Sequence, residues 1–179
     1  SVEGKIVNIE NQPINAQFMA HFQPEIQKID SFINIKVGTL TRPIYNRECF
    51  FGSAPFTDLI HNLQLEITKA DLSFTAPLGF DTQLDAGDIR ISDLFNLYKY
   101  ENKIYILNMT GEEIRKHLEL SYDLWTNTMR SPSDHIMQLE TKNQQDMQRY
   151  GFKNLTFNFD SAAGIDYIVD VTQPEGKKV

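Results

Sequence analysis

Phe50-Phe51-Gly52, Leu78-Gly79-Phe80 and Tyr98-Lys99-Tyr100-Glu101-Asn102 set aromatic rings beside glycine or short polar residues in segments of turn character. Rings presented on loops are a common way to hold a flat heterocycle, because stacking contributes about 1–3 kcal/mol per base and tolerates many bases. Rings also fill cores, so each cluster taken alone is open to both readings. The other chemistry-bearing residues are dispersed. His21, His61, His117 and His135 form no H-x-H or H-x₃-H pair, the spacing that metal ligation favours. His21 and Glu25 can pair locally, and Asp58 and His61, three apart on a helix, can touch. An acid/base dyad needs a third, orienting group, and the sequence offers none there. Cys49 is the single cysteine and reads as a buried structural thiol, with no second thiol for a disulfide or a zinc site. No G-x-S-x-G, Walker A, G-x-G-x-x-G, H-E-x-x-H or C-x-x-C occurs, so the sequence nominates no catalytic residue and no metal ligand.

The elements that must position these residues follow from periodicity and caps. Phe22, Ile26, Ile29 and Ile33 fall at spacings of four, three and four, an amphipathic helical stripe. Pro24 fits the first turn of that helix, which predicts a start near Phe22 or Gln23. Thr39-Leu40-Thr41 before Arg42-Pro43 reads as a short strand. Phe56, Leu59, Ile60 and Leu63 return to helical spacing, with Ser53 or Thr57 as N-cap. Residues 71–74 read as a strand, Asp85-Ala86-Gly87-Asp88 as a turn, and Ser92 as the cap of a short helix ending before Lys99. Residues 103–108 read as a strand. Thr110-Gly111-Glu112-Glu113 has the capping-box form, and the helix after it carries Ile114, Leu118, Ser121 and Trp125 on one face, with Trp125 as a core anchor. Residues 127–150 form a long polar excursion. Residues 154–159 and 165–171 alternate as two strands joined by Asp160-Ser161-Ala162-Ala163-Gly164. Gln173-Pro174-Glu175-Gly176 is a turn that ought to lead into a further strand. The expectation is a single domain over residues 1–179, of α/β (α+β) class, with mixed sheets flanked by helices and an incomplete C-terminal end.

A chain of 179 residues with 41% hydrophobic content can bury one ordinary core. Seventeen Lys and Arg against 24 Asp and Glu give a net charge of −7, which opposes a polyanion and argues against binding a nucleic acid polymer. No apolar run approaches the roughly 20 residues of a membrane span. Ser1 opens on polar sequence with no signal-peptide pattern.

Glu48-x-x-x-Gly52, Ala70-Asp71, Leu78-Gly79-Phe80, Ala86-Gly87-Asp88-Ile89, Tyr100-x-Asn102 and Met109-Thr110-Gly111-Glu112-Glu113 occur in one order. That series, over Ile44 to Trp125, resembles the 5'-nucleotidase C-terminal domain family. Leu97-Tyr98-Lys99-Tyr100-Glu101-Asn102 and Phe159-Asp160-Ser161-Ala162-Ala163-Gly164-Ile165 look like a Bacteroides-type variant that lacks the metallophosphatase domain. In the family, a metallophosphatase domain holds two metal ions and hydrolyses, while this second domain grips the nucleoside. The resemblance therefore implies a nucleoside or nucleotide ligand and a periplasmic or secreted location. It implies no cofactor in this chain, with the divalent metals confined to a separate catalytic domain or chain. Its signatures D-x-H, GNH[DE] and GHxH are absent here.

Carried over residue by residue, the family's stacking aromatic in P-F-G-N falls on Tyr100 and its Asn on Asn102. The glycine-rich G-G-G-I-R loop becomes Pro77-Leu78-Gly79-Phe80-Asp81, so Asp81 stands where the resemblance implies a phosphate-binding arginine. An earlier family arginine falls on Tyr45. A hydrogen bond to a charged group contributes about 1.5–3 kcal/mol, so two lost arginines cost roughly two to four decades of phosphate affinity. Arg42 and Arg47 are the nearest substitutes in sequence. The resemblance thus implies Tyr100, Asn102, Gly79, Asp81 and Tyr45 as substrate-binding positions.

Overall fold

The computed structural model describes residues 4–146 and 149–179. Helix α1 (Ala16–Ile33) starts earlier than its proline implied, because the Asn15 side chain accepts the Phe18 N–H at 2.9 Å and caps the first turn. Pro24 therefore lies inside the helix, where it forgoes one backbone bond. No residue of α1 is buried. Glu25 pairs with Lys28 at 2.9 Å rather than with His21, whose ring meets Phe22 edge-on. Strand β1 (Lys36–Leu40) then pairs antiparallel with β5 (Gly87–Arg90), Thr39 opposite Asp88.

Strand β2 (Ile44–Tyr45) pairs antiparallel with β4 (Gln83–Leu84), and a 3₁₀ turn (Asn46–Phe50) follows β2. Helix α2 (Pro55–Thr68) is capped by neither Ser53 nor Thr57. Pro55 opens it at a position where a missing N–H is harmless. The two hydroxyls donate instead, Ser53 to the Asp58 carboxylate at 2.9 Å and Thr57 to the Ala54 carbonyl at 3.1 Å. Helix α3 (Ile91–Leu97) starts without Ser92 as its cap, since the Asp93 carboxylate accepts the Arg90 N–H at 2.7 Å. Helix α4 (Gly111–Trp125) has the reciprocal capping box that its sequence announced: Thr110 N–H donates to Glu113 at 2.7 Å, and Glu113 N–H to Thr110 Oγ1 at 3.3 Å.

The C-terminal third departs most from the sequence pattern. Residues 103–108 join no ladder, and residues 154–159 hold a 3₁₀ turn (Thr156–Asn158) instead of a strand. Residues 165–171 are not a strand either. The small-residue segment read as their connecting loop supplies β6 (Ser161–Ala163), which pairs antiparallel with β3 (Ser73–Thr75). Small side chains are what this approach requires: Gly164 has φ +91, and a Cβ there would run into the Asp71 carbonyl oxygen. The 127–150 excursion is held by two isolated bridges, Thr126 to Met137 and Leu139 to Phe152. All pairings among the described residues are antiparallel, and helices flank them in an α/β arrangement.

Two apolar clusters hold this together. Ile44, Cys49, Ala54, Phe56, Ile60, Leu84 and Leu97 form the first, with Tyr98 against it. Burial pushes the Cys49 thiol up, as an inert structural thiol should be. Phe50, Trp125, Met137, Phe152 and Phe159 form the second, with Phe80 and Tyr150 against it.

Candidate functional site

Three of the positions implied by the resemblance meet at one end of the β2–β4 pair. Tyr45 lies opposite Gln83, and the Asn46 N–H donates to the Thr82 carbonyl at 3.0 Å, so the 77–82 loop folds back on the end of β2. Gly79 is buried in that loop: a Cβ on it would sit 3.3 Å from both Thr82 Oγ1 and Tyr150 Oη. Asp81 is exposed beside it. The Arg47 guanidinium lies 6.0 Å from the centre of the Phe80 ring, at the outer reach of a cation–π contact. Arg47 and Asp81 thus bring one cation and one carboxylate to this loop.

Tyr100 and Asn102 sit on the segment after α3. Asn102 Nδ2 donates to the Tyr98 hydroxyl at 2.8 Å, and Tyr98 packs on the cluster that contains Ile44 and Leu84. The Tyr100 ring is 45% exposed, with Lys99 Nζ 5.3 Å from its centre. Among the described residues no hydrogen bond, ion pair or ring contact joins Tyr100 or Asn102 to Tyr45, Gly79 or Asp81. The two halves of the implied site share a core cluster and nothing closer.

Two residues here were not singled out by the sequence. Tyr150 has φ +52, a backbone conformation that only a few per cent of non-glycine residues adopt, and it lays its ring against Phe80 and Gly79. The following Gly151, with φ +86, is the sequence signal of that bend. Asn46 is fully buried, and neither Nδ2 nor Oδ1 has a hydrogen bond, an uncommon state for a native amide. Nothing in the sequence marks it.

A second polar arrangement joins α2, β3, β6 and α4. Ser73 donates its hydroxyl hydrogen to Gln64, so His61 Nδ1 must be the protonated nitrogen that donates to Ser73 at 2.9 Å. His61 Nε2 lies 3.2 Å from Ser161 Oγ, whose one hydroxyl hydrogen is shared between that nitrogen and the Thr75 carbonyl at 3.3 Å. Asp58 makes no hydrogen bond to His61 and goes to Ser53. His117 Nε2 meets Asp160 at 2.9 Å under the edge of Phe74. The Ser161–His61 pair lacks the carboxylate that would orient a catalytic imidazole, so the network fastens the β3–β6 pair between two helices. Among the described residues there is no group of three or more His, Cys, Asp or Glu that could hold a metal ion.

The two histidines titrate in opposite directions. Burial holds His61 below the usual 6.5, against the pull of Asp58 and Asp160, whereas the hydrogen bond that the His117 ring donates to Asp160 lifts His117 above 6.5 despite burial. His61 therefore withdraws stability as pH falls from 6.5 through its folded value, and His117 withdraws it as pH rises from 6.5 through its own. Melts from pH 5 to 9 should show His61→Gln flattening the acid side and His117→Gln the alkaline side. A His117→Gln profile parallel to that of the unaltered chain would refute the assignment.

The 5'-nucleotidase C-terminal domain model matches residues 36–179. The trifunctional nucleotide phosphoesterase protein YfkN of Bacillus subtilis is 30% identical over 93 residues, covering 52% of this chain and 6% of that protein. The 2',3'-cyclic-nucleotide 2'-phosphodiesterase/3'-nucleotidase of Haemophilus influenzae is 23% identical over 195 aligned positions, covering 97% of this chain and 28% of its own length. A Staphylococcus aureus protein described as a 5'-nucleotidase and solved with alpha-ketoglutarate superposes with a TM-score of 0.68 at 17% identity, over 96% of this chain and 31% of that one. The chain thus spans less than a third of each relative. No helix among the described residues is long and apolar enough to cross a membrane. With four-fifths of its residues inside the matched region, the chain belongs to the 5'-nucleotidase C-terminal domain family.

Proposed function

We propose that this chain is the nucleoside-gripping specificity unit of a periplasmic or secreted nucleotidase-type phosphoesterase, with hydrolysis supplied by a separate metallophosphatase domain or chain. The observation that carries this is Tyr100, a large ring left 45% exposed on a segment whose neighbour Asn102 is already fixed by Tyr98. A half-exposed ring beside a positioned amide offers a base both a stacking face and a polar edge. The relatives named above as nucleotide phosphoesterases support the substrate class. Divalent metals belong, in this reading, to the other half.

A second reading has its own observation. Asp81 is exposed on the loop and Arg47 is the cation at its side, so the loop is suited to an uncharged group. The chain would then be a degenerate module that binds a nucleoside or another polar ring compound, or a protein-interaction domain, without taking part in hydrolysis.

Thermal shift with AMP, adenosine and an unrelated sugar, with and without a metallophosphatase partner, separates the two. Stabilisation by AMP only in the partner's presence supports the specificity unit, and stabilisation by adenosine alone supports the degenerate module. Tyr100→Ala should abolish any nucleoside response, since removing one stacking ring costs about 1–3 kcal/mol, or roughly 5- to 150-fold in affinity. An undiminished shift in that variant would remove Tyr100 from the site.

A further inference from the structure

Just beyond the C-terminal end of α4 a cavity of about 670 Å³ opens in the surface, within the range of about 300–1,000 Å³ that small-molecule sites occupy. Asn127 and Gln138 form part of its wall. Asn127 Nδ2 donates to the His135 carbonyl at 2.8 Å and to the Met137 carbonyl at 2.9 Å. Gln138 Nε2 donates to the carbonyls of Asp123 at 2.7 Å and Thr126 at 2.9 Å. Each amide commits both hydrogens to the chain, and among the described residues no hydrogen bond reaches either amide oxygen. Side chains locked in this way are acceptors oriented before any ligand arrives.

Glu175 and Lys153 bring one charge of each sign to the same cavity, and both are exposed. Among the described residues the Glu175 carboxylate makes no hydrogen bond and no ion pair. Backbone bonds set where the two stand. Lys153 N–H donates to the Gln138 carbonyl at 2.9 Å. Gly176 N–H donates to Asp123 Oδ2 at 2.7 Å, which ties the turn carrying Glu175 to the residue whose carbonyl holds Gln138. Met137, 3% exposed, and Leu139, 52% exposed, add an apolar portion. Among the described residues no Phe, Tyr or Trp lines the cavity, so it lacks the ring on which a base stacks.

We propose that this cavity is a binding site for an α-amino acid in its zwitterionic form. The three hydrogens of the ammonium match the amide oxygens of Asn127 and Gln138 and the Glu175 carboxylate. The α-carboxylate takes Lys153 as its cation, and an aliphatic side chain lies on Leu139. A simple amine meets Lys153 as a like charge, and a simple acid meets Glu175 as one. Only a molecule that carries both charges finds an opposite charge for each. The proposal shares no residue with the nucleoside reading and stands independently of it.

The test is an NMR titration of the isotope-labelled chain with L-leucine, isoamylamine and isocaproate, the last two each lacking one of leucine's charged groups. Leucine should shift the side-chain amide resonances of Asn127 and Gln138. Each of the other two should bind about 10- to 100-fold more weakly, the cost of losing hydrogen bonds to a charged group. Glu175→Gln should weaken leucine by a similar factor and leave isocaproate no weaker than before. Lys153→Met should weaken leucine too and leave isoamylamine no weaker. Both side chains are exposed, so an unchanged melting temperature should accompany each loss. Amide resonances of Asn127 and Gln138 that leucine leaves unmoved up to about 10 mM overturn the proposal. Isoamylamine binding as tightly as leucine overturns it in favour of a site for cations alone. Adenosine or glucose shifting the same two amides more strongly than leucine overturns it in favour of a base or a sugar. Leucine affinity that survives both variants places the binding elsewhere and also sinks the assignment.

Discussion

Trp125→Ala should lower the unfolding free energy by about 3–5 kcal/mol and the melting temperature by about 6–20 °C, read by thermal and denaturant melts. Trp125 closes α4 at 3% exposure and lies between two parallel rings, Tyr122 at 4.9 Å and Phe159 at 5.6 Å, with Phe50 edge-on at 6.1 Å. Removing the indole opens a cavity shared by α4, the turn before α2 and the turn before β6, so three segments lose packing at once. Its Nε1 makes no hydrogen bond, and the loss is therefore one of burial and ring contact alone. Trp125→Phe keeps most of that area and should cost less than half as much. A fall of under about 1.5 kcal/mol in the alanine variant would mean that this cluster relaxes freely and does not anchor α4.

Trp125 also shows which parts of the molecule the sequence reveals. Helix α4 is legible because three signals coincide: a capping box at Thr110, an apolar stripe at helical spacing, and one large ring at its end. Where signals conflict, the pattern misleads. Residues 165–171 alternate as a strand does, yet alternation cannot show whether a partner strand exists, and the pairing goes to Ser161-Ala162-Ala163, whose small side chains let β3 and Asp71 approach. Pro24 has the same lesson on a helix, since Asn15 supplies a cap seven residues before the position that proline favours.

The candidate site is legible only in halves. Gly79 and Asp81 share one loop, but Tyr45 lies far upstream of it, and its closeness to that loop depends on the β2–β4 pair, two residues long on each side and carrying almost no propensity signal. Tyr150 reaches Gly79 from a polar excursion with no periodicity at all. Tyr100, by contrast, is visible as a ring on a loop, and the structure leaves it half-exposed.

Lys178→Met should cost about 3–5 kcal/mol, far more than any other lysine substitution in the chain. The Lys178 side chain is fully buried. Its Nζ donates to the Thr126 carbonyl at 2.9 Å and pairs with Asp123 Oδ1 at 3.2 Å, outside hydrogen-bond alignment, so that Oδ1 has the ion pair and no hydrogen bond. Around it, Glu119 accepts the backbone N–H groups of Lys178 and Val179 at 2.8 and 3.0 Å, and Asp123 Oδ2 accepts that of Gly176 at 2.7 Å. Two carboxylates on successive turns of α4 thus hold residues 176–179, with the ammonium as the buried counter-charge of Asp123 and Arg115 as that of Glu119 at 3.3 Å. Methionine preserves the stem's volume and strands both the Asp123 carboxylate and the carbonyl of the helix C-cap. The exposed pairs Lys28–Glu25 and Lys142–Glu140 have no such leverage, and their substitution should change stability by about 0–1 kcal/mol. Asp123→Asn should recover part of the loss in the double variant, giving a coupling of about 1–3 kcal/mol. Strict additivity would mean that Lys178 is held by Thr126 alone and that the ion pair contributes nothing.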